Sequence, residues 1–424
     1  MIRGVCLCLG LGLASLMFAA CSSPDAGKGY NSAAFAKNDS FEPGKILLDE
    51  NGRVVNAHGA GFIFDNGRYY MFGEHKLGGD LGNRALVGVH CYSSADLYNW
   101  RDEGIALEMS TDKNSPILRG TILERPKVVF NEKTKKYVMV FHLEGRKGET
   151  AKSIEIEDIL KEKPNYRVAK LGFAVSDSVK GPYKFVRALR PNAGKYPIGW
   201  EGKMKAVRTL LNSKYPNWDA DKQISVFNGG EIMDGQVFLR DFPGGQMSRD
   251  LNVFVDDDKK AYVFTAAEEN ATLHIHELTD DYLDFTGKFS RVLNRGFNEA
   301  PAVFKKGGKY FMFSSSCTGW APNPGRLSVS DNVMLGWREV GNPCRGEGQK
   351  KSRTYPAADG ETTFRSQSTY VIPVHGRKDA FIYVGDRWLP DDAIDGRYIF
   401  LPVEWENGLP IIKWYDSWNL SKFD

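Results

Sequence analysis

The chain has 424 residues, and 56 Lys and Arg against 53 Asp and Glu leave a net charge of only +3. That balance provides no basic footprint, which excludes a nucleic-acid partner. Aromatic residues make up 12% of the chain and glycines number 44, a composition that favours strands and tight turns over helix bundles.

In chain order, residues 1–20 are predicted to be a signal peptide. Arg3 precedes an apolar run over 4–20 that is too short and wrongly flanked for a transmembrane helix. The run ends Phe18-Ala19-Ala20-Cys21 and resembles the lipobox of bacterial lipoproteins, with Phe18 where an aliphatic residue is usual. The resemblance makes Cys21 the lipidated first residue of an exported protein. Such a protein is anchored to a bacterial membrane, on its periplasmic or cell-surface side, without spanning it. Residues 21–44, rich in Ser, Ala, Gly and Asn, are expected to form the tether. Cys6 and Cys8 leave with the signal, and Cys91, Cys317 and Cys344 are too few and too far apart for a disulfide framework or a metal cluster. No metal or cofactor is expected.

From residue 45 onward an internal repeat dominates: a short apolar strand, a polar or glycine turn and an aromatic-rich return strand. The copies are GFIFDNGRYYMFGEH from Gly61, KVVFNEKTKKYVMVFH from Lys127, NVFVDDDKKAYVFTAA from Asn252, AVFKKGGKYFMFSSS from Ala302 and STYVIPVHGRKDAFIYVGD from Ser368. Each reads as a β-hairpin, and each is followed by a second strand pair. Four strands in each of five units predicts an all-β, five-bladed β-propeller over 45–424. A β-sandwich competes, but the shared plan of the units argues against it. KILLDENGRVVNAHG from Lys45 is expected to supply an early strand that helps close the ring. The second and third hairpins are spaced at close to double the usual interval. Residues 153–161 between them read as helix-like, and an insertion at about 187–245 lacks a clean period. It is either a surface loop or a wall of the substrate mouth.

Acid–base hydrolysis needs one group to protonate the departing atom, and usually a second on the opposite face to activate water. Four carboxylates stand where inner strands converge: Glu74 closing the first hairpin, Glu124 in LERPKVVFN, Asp250 in SRDLNVF and Glu299 in NEAPAVF. The last three occupy equivalent places in successive blades, as generic surface acids would not. Trp320 and Trp388 either stack on a sugar or pack in the core. His58, beside glycines, reads as a hydrogen-bonded structural group or as a holder of water. Asn270-Ala271-Thr272 is a formal glycosylation sequon, incidental in a bacterial lipoprotein. DDDK from Asp256 reads as a hairpin turn, since it lacks the spaced ligands of a calcium loop.

The motifs NAHGAG from Asn56, YYMFGEHK from Tyr69, LERPKVVFN from Leu123, NYRVAKLGFAVSDS from Asn165, MSRDLNVFVDDDKKAYVF from Met247, NEAPAVFKKGGKYFMF from Asn298, CTGWAPNPGRL from Cys317 and TFRSQSTYV from Thr363 cover nearly the whole mature chain apart from the insertion. Together they resemble glycoside hydrolase family 43, in the branch of the exo-β-1,3-galactanases (subfamily 24) and the neighbouring subfamily 34. The resemblance implies that Glu299 is the general acid, with Ala300-Pro301 in place of the more usual Gly-Pro. It implies that Asp250 and Glu124 stand beside the acid, where neighbouring carboxylates raise its pKa, and that Asp250 also orients the terminal sugar. Glu74, Tyr166 and Thr318 match further contacts to sugar hydroxyls. The usual first-blade aspartate base is replaced by Asn56-Ala57-His58-Gly59-Ala60-Gly61, which holds no carboxylate. Gln367 matches a glutamine near the attacking water, although an amide positions water and is a very poor base. The implied reaction is inverting, exo-acting release of terminal galactose from β-1,3-galactan or arabinogalactan side chains. An α-L-arabinofuranosidase or β-galactofuranosidase is the alternative among enzymes, and a non-catalytic surface glycan-binding propeller the alternative outside them.

Overall fold

The computed structural model describes residues 37–78, 86–146, 164–214, 234–351, 356–395 and 397–424. Cys21, the predicted signal peptide, most of the tether and the helix-like stretch at 153–161 lie outside the described residues.

Period-2 alternation broken by Gly, Asn and Asp turns folds the chain into five antiparallel sheets whose strand order follows the sequence. The first blade holds β1 (His58–Asp65), β2 (Arg68–Lys76), β3 (Leu86–Ser94) and β4 (Arg101–Glu108). The second holds β5 (Ile122–Asn131), β6 (Lys136–Arg146), β7 (Pro164–Ser176) and β8 (Lys184–Leu189). In the third are β9 (Arg249–Val255), β10 (Ala261–Ala267), β11 (Thr272–Leu278) and β12 (Phe285–Val292). The fourth has β13 (Asn298–Lys306), β14 (Lys309–Ser316), β15 (Arg326–Ser330) and β16 (Arg338–Gly341). A two-residue strand, β17 (Cys344–Arg345), then runs parallel to the outer edge of the fifth blade. That blade consists of β18 (Gln367–Pro373), β19 (Phe381–Asp386), β20 (Tyr398–Glu406) and β21 (Leu409–Lys413). The inner strands touch in sequence, β1 to β5, β5 to β9, β9 to β13 and β13 to β18, and β18 returns to β1. The molecule is a five-bladed β-propeller. Its core lies between blades: Phe304, Phe311 and Phe313 of the fourth pack with Tyr383, Leu401 and Ile412 of the fifth, each buried ring or branched chain stabilising the fold by about 1.5–3 kcal/mol.

Two expectations are corrected. The segment from Lys45 forms no ladder strand; it makes isolated bridges, Phe41 to Trp418, Ile46 to Arg397 and Asp49 to Trp100. The Asp49 carboxylate accepts from the backbone amides of Asn51 (2.8 Å) and Arg53 (2.9 Å), and this local turn breaks the strand after Leu48. The segment still ties the fifth blade to the first, with Phe41 stacked on Trp418 at 4.4 Å. The insertion, for its part, contains two helices, α1 (Glu201–Lys214) and α2 (Gln236–Asp241). Met204, Val207 and Leu211 form a narrow helical stripe that packs with Phe238 and Leu239 onto Phe289 of β12. So few apolar positions among charged ones leave little periodicity to read. Among the described residues no helix is long and apolar enough to cross a membrane.

Each inner strand slips in register near its start: between His58 and Gly61, between Glu124 and Lys127, at Asp250 opposite Thr265 and Ala266, between Glu299 and Ala302, and between Ser368 and Tyr370. A β-bulge re-aims a side chain, and here five bulges converge on the axis. In three of them the following residue is left-handed: Gly59 (φ 69°), Arg125 (φ 52°) and Ala300 (φ 54°). A Cβ at Gly59 would lie 2.5 Å from Glu74 Oε1, so the first bulge requires glycine.

Candidate active site

Six of the seven predicted residues, Glu74, Glu124, Tyr166, Asp250, Glu299 and Gln367, line one axial cavity of about 280 Å³, alongside Arg125, His142, Arg249, Asn270, Trp320 and Trp388. Thr318 does not line it. Its hydroxyl donates to Ala321 O (2.6 Å) and accepts from Asn323 Nδ2 (2.7 Å), closing the loop on itself, while Gly319 and Trp320 face the cavity instead. A larger cavity of about 520 Å³ lies under residues 37–50 beside Trp100 and Phe400, and none of the seven residues reaches it. No described residue of 187–245 lines the axial cavity, so the described part of the insertion is not a wall of the mouth.

The carboxyls in the cavity are held in opposed states. Burial, then the neighbouring charge of Asp250, pushes Glu299 up to about 7, against hydrogen bonds from Cys317 and Asn270 and the charge of Arg125. Burial also raises Glu74, more than its 2.7 Å ion pair with Lys76 lowers it. Burial alone would raise Glu124 too, but His142, 3.0 Å away, outweighs it and keeps Glu124 below the ordinary range. His142 stands between Glu124 and Glu144 (2.8 Å). Burial opposes its charge, yet the two carboxylates raise it to about 10. A carboxyl poised near 7 beside Glu124, whose carboxyl is held below the ordinary range, is the division of labour that acid catalysis requires.

Arg125 organises the floor, and the sequence reading missed it. It pairs with Asp250 (2.9 Å) and donates to Gln367 Oε1 (2.6 Å) and Ser368 O (3.1 Å), while its backbone amide donates to Glu74 (3.1 Å). Gln367 Oε1 also accepts from Trp388 Nε1 (2.8 Å). Arg and Trp only donate, which fixes the amide's orientation. Its nitrogen therefore points the other way, donating to Ser315 Oγ (3.0 Å), and Ser315 is the cross-strand partner of Glu299. His58 holds the first-blade position with both ring nitrogens engaged, by Asp386 (3.1 Å) and Asp395 O (2.8 Å). It is a structural group, and Asp386, wholly buried, is its partner. Glu124, His142 and Asp250 bring possible ligand atoms within 4.8 Å of one another. Each of the three already has a partner, however: His142 lies between Glu124 and Glu144, and Arg125 pairs with Asp250. His142 and Asn270 were also missed: one sits mid-strand in β6, the other looks like a sequon. The Glu-x-Pro shared by 124–126 and 299–301 is the signal that could have pointed to the left-handed Arg125 within its bulge.

A propeller whose axial pocket sets a carboxyl of raised pKa beside one of lowered pKa is built as a glycoside hydrolase. The model of the family described as Glycosyl hydrolases family 43 matches residues 234–410. No curated protein matches. Among solved structures, a GH43 β-1,3-galactosidase bound to galactodeoxynojirimycin is 42% identical, covering 90% of this chain and 100% of its own, with a TM-score of 0.74. A second GH43 β-1,3-galactosidase is 32% identical over 91% of this chain and 65% of its own (TM-score 0.68). An exo-β-1,3-galactanase from Clostridium thermocellum is 28% identical over 89% of this chain and 66% of its own (TM-score 0.63). The chain belongs to glycoside hydrolase family 43.

A pH consequence follows from the geometry around Glu299. Asp250→Asn removes a negative charge that favours the protonated acid, so the pKa of Glu299 falls. With Glu299 as the proton donor that the sequence resemblance implies, the alkaline limb of the kcat/KM profile is expected to move to lower pH, by roughly one unit. An alkaline limb at or above its wild-type position would remove Asp250 from this role.

Proposed function

We propose that this enzyme is an inverting, exo-acting β-1,3-galactosidase that releases terminal galactose from β-1,3-galactan or arabinogalactan side chains. The observation that carries the reading is Glu299, buried beside Asp250 and poised near 7, in a cavity at the small end of ligand pockets, which run from roughly 300 Å³ upward. A space of that size suits one sugar ring and hence attack at a chain end. The β-1,3-galactosidases and the exo-β-1,3-galactanase among the similar structures support galactose as that ring.

In this reading Glu299 protonates the departing oxygen. Glu124 accepts hydrogen bonds from vicinal hydroxyls, with Tyr166, whose hydroxyl donates to Glu124 Oε1 at 3.3 Å, at its side. Trp320, 46% exposed and set edge-on to Trp388 at 5.6 Å, offers a face at the mouth to the sugar that leaves. Gln367 holds the attacking water through its amide N–H, since its oxygen is occupied by Arg125 and Trp388. It positions the water without deprotonating it; the new C–O bond forms first, the attacking oxygen then loses its extra proton to solvent water, and Glu299 regains its proton from solvent. In an oxocarbenium-like transition state the bond to the leaving group is largely broken as water attacks, which lowers the demand for a strong base.

The test sets β-1,3-galactobiose and β-1,3-galactotriose beside nitrophenyl α-L-arabinofuranoside and β-galactofuranoside. Galactose is expected from the first pair alone, appearing first as the α-anomer by NMR. Release from a furanoside would replace the substrate, and β-galactose appearing first would replace inversion. Saturable binding without any product would leave a glycan-binding propeller.

A further inference from the structure

The turn joining β10 to β11 is unusual. Glu268, Glu269 and Asn270 are three successive non-glycine residues with left-handed backbones, at φ 53°, 57° and 63°. Side chains rarely adopt this conformation, and a run of three persists only where the surroundings hold it. Each of the three side chains is held by a different partner. Glu268 is buried in a bidentate pair with Arg291 of β12 (2.5 and 2.7 Å) and also meets His274 (2.8 Å). Glu269 pairs with Arg240 of α2 (2.7 Å) and Arg249 of β9 (3.3 Å). Asn270 donates from Nδ2 to Glu299 Oε1 at 2.6 Å. Its oxygen faces Arg249 at 3.4 Å, and because arginine only donates, the amide cannot be turned round.

One of these clamps comes from the insertion, and a second is braced by it. Arg240 lies on α2, and Arg291, besides gripping Glu268, donates to Asp234 just ahead of α2 (2.8 Å) and lies over the ring of Trp200 at 4.5 Å. We propose that the insertion serves the catalytic acid from a distance: through Arg240 and Asp234 it locks the Glu268–Glu269–Asn270 turn, and the locked turn holds Asn270 as a positioning residue on the carboxyl of Glu299. Asn270 fixes which oxygen of that carboxyl faces the substrate and, as a donor, favours its ionised form. Burial and Asp250 push the other way, so the acid is balanced between them. The other charged or titratable groups facing this cavity are Arg249 and Asp250 from β9, Glu124 and Arg125 from β5, His142 from β6, Tyr166 from β7 and Glu74 from β2, with Cys317 against Glu299 from the loop after β14. None of them changes in the variants below.

The proposal rests on Glu299 being the acid, so its test uses one readout that needs no substrate. Asn270→Gly keeps the left-handed backbone at no steric cost and removes the donor to Glu299 together with the long 3.4 Å contact to Arg249. Carboxyl 13C NMR, with Glu299→Gln assigning the resonance, is expected to show Glu299 titrating higher by roughly half a unit to one unit, the size of one lost hydrogen bond. The alkaline limb of kcat is expected to rise with it, and kcat to fall roughly threefold or more while KM stays within about twofold. Arg240→Met, which touches neither Glu299 nor the cavity, is expected to move both in the same direction by less. Lys205→Met, on the exposed face of α1, where it pairs with Glu201 and lies 5.9 Å from the ring of Tyr196, is expected to move neither. An unshifted titration in Asn270→Gly overturns the positioning role. A shift there without one in Arg240→Met overturns the role of the insertion. A wild type that releases no sugar yet shows the NMR shift overturns the reading of function and leaves the clamp standing.

Discussion

Glu299→Gln is expected to lower kcat/KM on β-1,3-galacto-oligosaccharides by roughly two to four orders of magnitude, the contribution of a positioned general acid. The amide is isosteric and its oxygen can still accept from Asn270 Nδ2, now 2.6 Å from Glu299 Oε1, so the loss belongs to the proton and not to packing. Thermal stability should be kept or raised, because a buried carboxyl that resists ionisation is replaced by a neutral group. The leaving group supplies the control. A dinitrophenolate departs without protonation, so on dinitrophenyl β-galactoside the variant should stay within about tenfold of wild type. Equal losses on both substrates would mean that Glu299 binds sugar and does not donate, and no loss on either would place the acid elsewhere.

The blades are legible in the sequence because a hairpin is a local object: alternation and turn residues sit within fifteen or so positions. The acids at 124, 250 and 299 are legible for the same reason, since each stands at a fixed offset from an apolar strand. What the bulges do with them is not local. Arg125 follows an acid and precedes a proline, with nothing in its neighbourhood to show that it reaches Asp250 in the third blade and Gln367 in the fifth. Thr318 fails for the opposite reason, because a short-range bond to Ala321 O takes a hydroxyl that its motif had assigned to the sugar. Asn270 belongs to a turn whose left-handed geometry is imposed by arginines distant in sequence, Arg240 and Arg249 before it and Arg291 after it, and no period announces such a clamp. The strand expected from Lys45 loses to the Asp49 turn, a competition visible in DENG but decided by the folded partners at Arg397 and Trp418.

Arg125→Met is expected to be the most damaging single change to the site's architecture. The guanidinium is 5% exposed and pairs with Asp250, itself only 17% exposed, so its removal strands a carboxylate in a desolvated pocket. Breaking a buried pair from one side costs about 3–5 kcal/mol, readable as a lower midpoint in urea with an unchanged slope. Activity should fall by two orders of magnitude or more, since Gln367 loses one of the two donors that fix its amide and the bulge that presents Glu124 loses its anchor on Ser368 O. The double variant Arg125→Met with Asp250→Asn separates the two effects. With both charges gone the stranded-ion penalty disappears, so most of the stability should return, and the coupling between the sites should exceed about 1 kcal/mol. Activity should not return, because the amide of Gln367 still lacks its Arg125 donor and the bulge that presents Glu124 its anchor on Ser368 O. If Arg125→Met unfolds within about 1 kcal/mol of wild type, water reaches the floor of the pocket and solvates Asp250, and the desolvated site on which the raised pKa of Glu299 depends would have to be given up along with it.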